Sequence, residues 1–128
     1  IESLGDTCDV VLESSHERKT HPKEYRREGI ERILLESQLW DFEDHLINDG
    51  YTSIAVLHSE HPFEVQLDEH KLIIAYGPVM QTFETILSEH GIPQKKNLRV
   101  ISQGDHMHTS TNKFMSQFED FASQIHAE

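Results

Sequence analysis

Apolar and polar positions alternate, cluster or recur at helical spacing in different parts of the chain, and that patterning orders the elements. Cys8, Val10 and Leu12 alternate with Asp9, Val11 and Glu13, which predicts a short strand. After a polar stretch, Thr20-His21-Pro22 has the form of a helix start with proline in the first turn. Leu35, Leu39, Phe42 and Leu46 then recur at i, i+4, i+7 and i+11, a helical stripe that Asn48-Asp49-Gly50 ends. Ile30, Ile33 and Leu34 point away from that stripe, so the segment from Pro22 to Asn48 reads either as one helix or as two pieces.

The middle of the chain reads as a three-stranded antiparallel meander. Tyr51 to His58 is strand-like, Phe63, Val65 and Leu67 alternate with Glu64 and Gln66, and Lys71 to Tyr76 is a nearly continuous apolar run. His61-Pro62 and Asp68-Glu69-His70 supply the turns. Gly77-Pro78 opens a helix with Val79, Phe83, Ile86, Leu87 and His90 on one face, and Gly91 closes it. Leu98 to Gln103 predicts a further strand, and Thr111 or Asn112 caps a last helix whose stripe is Phe114, Phe118, Phe121 and Ile125. The order β-α-β-β-β-α-β-α predicts an α+β fold: a mixed, largely antiparallel sheet with helices packed on one face. Residues 1 to 128 are expected to form a single domain, since this length supports one core and not two.

Composition adds location to that outline. The formal charge is −12, which argues against nucleic acid as a partner because phosphate binding draws on clustered Lys and Arg. No basic residue lies between Arg32 and Lys71, whereas Asp41, Glu43, Asp44, Asp68 and Glu69 all do. These five residues are expected to meet a basic partner protein. The basic residues just before them, Arg18, Lys19, Lys23, Arg26, Arg27 and Arg32, are interleaved with glutamates, as in the i,i+4 pair Glu28 and Arg32, and read as a self-neutralised helix surface. No apolar run reaches the roughly 18 residues of a bilayer span, so no membrane contact is expected. Cys8 is the only cysteine; its alternating apolar setting fits a buried small hydrophobe, and a reducing, cytoplasmic compartment is expected.

The chemistry that remains is histidine chemistry. If a β-α-β crossover sets Leu98 to Gln103 parallel to Lys71 to Tyr76, the strand ends at His58, Gly77 and Gly104 share one edge of the sheet. His58, His61, His106 and His108 would gather there and could hold a divalent ion such as Zn²⁺, because neutral imidazole is a suitable ligand and His-x-His presents both rings on one side of an extended segment. His16 and His21 flank a superficially protease-like run, but their spacing puts them on different faces of a helix. No Gly-x-Ser-x-Gly, phosphate loop or Gly-x-Gly-x-x-Gly occurs. Trp40 and the phenylalanine stripes are expected in the core. The leading expectation is a non-catalytic binding or regulatory domain, and the second is a metal-binding protein or metal-dependent enzyme using the loop histidines.

Overall fold

A computed structural model describes residues 5–14, 23–77, 81–92 and 112–128. Its elements run β1 (Thr7–Ser14), β2 (Lys23–Glu31), α1 (Arg32–Asp41), α2 (Glu43–Asn48), β3 (Thr52–His58), β4 (Glu64–Leu67), β5 (Ile73–Tyr76), α3 (Gln81–Glu89) and α4 (Asn112–Gln124). The strands form one five-stranded sheet in the order β2-β1-β3-β4-β5, with every neighbouring pair antiparallel. The α+β class is as expected, and β3, β4 and β5 are the anticipated meander. The expected strand Leu98 to Gln103, which was to make the sheet mixed, lies outside the described residues.

Strand alternation decides which face carries the core. Cys8, Val10, Leu12 and Ser14 of β1 are buried, and the residues opposite them on β3, namely His58, Val56, Ile54 and Thr52, point the same way. Helices close over this face. Leu35 of α1, Leu46 of α2 and Phe118, Phe121, Ala122 and Ile125 of α4's end join the β1 and β3 residues in one cluster, with Leu39 and Phe42 packed against it. The stripes predicted for α1, α2 and α4 therefore face the sheet, whereas on α3 Phe83 is buried and Ile86 and His90 of the same predicted stripe are exposed. α3 ends at Gly91, whose φ of 73° is the left-handed closure that glycine permits without Cβ strain.

One segment differs from expectation. Lys23 to Glu31 is a strand and not the start of a helix, and it pairs with β1 along its whole length. Its residues are strong helix formers, but β1 has a second edge to satisfy, and inter-strand hydrogen bonding overrides that preference. Tyr25 stacks on Phe118 at 5.6 Å between ring centroids, and Ile30 is buried. Glu28 and Gly29 bulge opposite Asp9, with Gly29 at φ 64° donating its N–H to Asp9 Oδ1 at 2.8 Å. The outer side of β2 is bridged by the chain end: Arg26 donates its N–H to the Glu128 carbonyl and Glu128 donates back to that of Arg26, at 2.8 and 2.9 Å. With the strand in place of a helix, Arg32 pairs forward to Glu36 at 3.0 Å.

Candidate functional site

Two places answer the sequence expectations, the histidine edge and the acidic helices. At the first, β3 and β5 finish at the same end of the sheet, as the meander geometry requires, with Phe63 between them. A Cβ on Gly77 would fall 2.5 Å from Cδ1 of Phe63, and Phe63 donates its N–H to His61 while its carbonyl accepts from the His58 N–H. The rings of His58 and His61 lie 4.6 Å apart between centroids. His58 Nδ1 accepts two backbone N–H groups, from Glu60 at 2.9 Å and His61 at 3.1 Å. That nitrogen is committed to the turn, which leaves Nε2, sitting against Gly5, as the ring's other polar atom. His106 and His108 lie outside the described residues, and among the described residues no group of three or more His, Cys, Asp or Glu could hold a metal ion.

The five acidic residues divide into two settings. Asp41, Glu43 and Asp44 are exposed at the junction of α1 and α2. Asn48 donates to Asp44 Oδ1 at 2.8 Å and Lys113 of α4 reaches Oδ2 at 3.2 Å, and these two contacts hold the Asp44 carboxyl below its ordinary range. Asp68 and Glu69 are instead half-buried in the β4–β5 hairpin. Asp68 Oδ1 accepts the Leu72 N–H at 2.9 Å and its Oδ2 lies 3.5 Å from His70 Nδ1, so this carboxylate organises the turn.

Beside that hairpin is a buried polar cluster. His45, Asp49 and Thr52 are all buried. The Thr52 hydroxyl donates to Asp49 Oδ2 at 2.6 Å, the Tyr51 N–H donates to Asp49 Oδ1 at 3.1 Å, and His45 Nδ1 lies 3.7 Å from Asp49 Oδ2. His45 also contacts the rings of Phe114 and Phe118. Lys71, at φ 65°, extends its amine to the Thr52 carbonyl at 2.9 Å; burial pulls its pKa down, against the opposing pull of Asp49, Asp68 and Glu69. The cluster fixes the turn from α2 into β3 and is sealed from solvent, which suits structure and not turnover. Cys8 is equally enclosed, and burial raises its thiol pKa, as for an inert cysteine.

Trp40 is where expectation and structure part most widely. It is 74% exposed and not in the core. Leu35 and Leu39 take α1's inward face, while Ile33, Leu34, Ser37, Trp40 and Asp41 fall on the opposite arc. Ile33 is 71% and, on α2, Ile47 is 52% exposed. The result is a mixed surface in which a tryptophan and three aliphatic side chains stand among Asp41, Glu43 and Asp44. Spacing could have found it, since Ile33, Trp40 and Ile47 form a second stripe out of phase with Leu35, Leu39, Phe42 and Leu46.

Compared with known proteins, the chain matches no family model, no curated protein and no solved structure. Among the described residues, no helix is long and apolar enough to cross a membrane.

Proposed function

We propose that this chain is a small, acidic, non-catalytic binding domain that meets a basic partner protein on the exposed side of α1 and α2, in the cytoplasm. The observation that carries this reading is Trp40, a large aromatic held in water on a helix whose other face is buried, with Asp41, Glu43 and Asp44 beside it. Tryptophan concentrates binding energy at interfaces, and its truncation at such a centre costs about 2 kcal/mol or more of affinity. The carboxylates supply steering and partner choice. Asp68 and Glu69 belong to the hairpin and contribute long-range field only.

Trp40 is the sole tryptophan, so its emission reports binding directly. Titration with a short peptide of Lys and Leu should shift that emission to the blue, with affinity falling as salt rises. Asp41→Asn with Glu43→Gln should weaken binding, whereas Glu84→Gln with Glu89→Gln, on exposed α3, should not. Equal loss from both pairs would reduce the interaction to net charge and remove the assigned face.

The proximity of the His58 and His61 rings favours a second reading, in which a divalent ion such as Zn²⁺ is held by His58, His61, His106 and His108. Elemental analysis of untagged protein tests it: stoichiometric metal lost on His106→Ala with His108→Ala supports this reading, and metal-free protein opposes it.

A further inference from the structure

We infer that the segment received by the α1–α2 face is a basic amphipathic helix lying lengthwise along it, an inference that rests on the docking role proposed above. Ile33, Trp40 and Ile47 recur at i, i+7 and i+14, and all three are exposed. α1 and α2 are separate helices with Phe42 between them at φ −109° and ψ 22°, yet the inward side keeps its phase across the junction, since Leu35 and Leu46 are buried and Leu39 and Phe42 pack against the same cluster. The seven residues from Ile33 to Trp40 extend about 10 Å along α1, roughly two turns, and Ile47 continues the exposed side on α2. A seven-residue interval is the repeat with which one helix meets another over several turns at a shallow crossing angle. An extended partner would match it poorly: its side chains repeat every two residues, and strand addition needs an open sheet edge, which a helix surface lacks.

Charge selects the partner's polar flank. Asp41 and Glu43 border the stripe, and beside them Glu36 and Asp44 are bridged to Arg32 and Lys113. A helix with aliphatic residues on one face and Lys or Arg on either side satisfies both features. A second copy of this chain does not, because facing stripes would bring these carboxylates together.

Two synthetic peptides of identical composition, about 18 residues of Lys, Leu and Ala or roughly five helical turns, separate the possibilities. One places leucine at helical spacing, and the other is scrambled to remove the period. Calorimetry should show the amphipathic peptide binding at least tenfold more tightly than its scramble. Trp40→Ala and Ile33→Ser should each weaken it about tenfold, and Ile86→Ser on α3 should leave it unchanged. Thermal melts verify that the variants stay folded, as their exposure requires. Equal affinity for both peptides, lost on Asp41→Asn with Glu43→Gln, would overturn the helical partner while leaving the docking face standing. Binding of neither peptide would overturn both readings. Tight binding indifferent to Trp40→Ala, or a dimer formed through Trp40 at neutral pH, would overturn the inference.

Discussion

α4 and the α1–α2 pair both carry aromatic and aliphatic side chains and dispose of them in different ways. α4 has one apolar stripe, and Phe118, Phe121 and Ile125 at its end are almost wholly buried against the sheet. Its opposite side is polar: Lys113, Ser116, Asp120 and Ser123 face water, and Glu119 accepts from the Tyr25 hydroxyl at 2.9 Å and ties down Lys23. α1 and α2 have two stripes. One, from Leu35 to Leu46, closes the same core; the other, from Ile33 through Trp40 to Ile47, stays in water. An amphipathic helix needs only one apolar face to fold onto a sheet. The second is unexplained by stability and marks the side on which to look for a partner.

That contrast makes ranked predictions. Phe121→Ala, which empties a fully buried site, should cost about 3–5 kcal/mol in denaturant unfolding. Asp49→Ala should be next, at about 3 kcal/mol, because it strips the Thr52 hydroxyl, the Tyr51 N–H and His45 of a common buried acceptor. Gly29→Ala meets no steric obstacle, but its φ of 64° should cost about 1–2 kcal/mol and loosen the bulge opposite Asp9. Trp40→Ala should change stability by less than about 0.5 kcal/mol while abolishing the anchor for binding. A loss at Trp40 comparable to that at Phe121 would erase the distinction between the two helices.

The smallest effect is one of pH. Glu13 faces Glu24 across β1 and β2, and burial first, then that neighbour, raises its pKa above the ordinary 4.5. The folded state therefore holds this proton more tightly than the unfolded chain. Stability from this site rises as pH falls through the raised value toward 4.5 and is lost as pH climbs back. Glu13→Gln should thus stabilise the protein at neutral pH, with the advantage disappearing near pH 4.5 in melts across that range. A separate acid effect comes from the ten histidines, whose protonation would bring the formal charge from −12 to −2. With less repulsion, the exposed Trp40 stripe should promote self-association between about pH 5 and 6, visible as rising light scattering that Trp40→Ala suppresses.

Much of the fold was legible because its signals are local. Alternation set β1 and the meander, the phenylalanine spacing set α4, Gly91 closed α3, and strand direction alone placed His58 and Gly77 at the same end of the sheet. β2 was hidden because Lys23 to Glu31 is rich in helix formers and its pairing partner lies on the far side of a polar stretch of sequence; Gly29, a poor residue for the middle of a helix, was the available warning. The cluster of His45, Asp49 and Thr52 was hidden for a different reason. Polar residues within an acidic run look solvated until the turn at Asp49 is seen to fold them inward. Of the proposed docking face, Asp41, Glu43 and Asp44 stand out by the gap in positive charge, whereas Trp40 reads as core, because two apolar stripes on one helical segment cannot both be ranked without knowing where the sheet lies.

The most direct measurement is quenching of Trp40 fluorescence by ions of opposite sign. In the free protein, caesium should quench strongly and iodide weakly, because the tryptophan is in water and Asp41, Glu43 and Asp44 attract one and repel the other; the amphipathic Lys and Leu peptide should suppress both. A free protein whose emission is already blue and resists both ions would place Trp40 in an apolar interior and contradict the account.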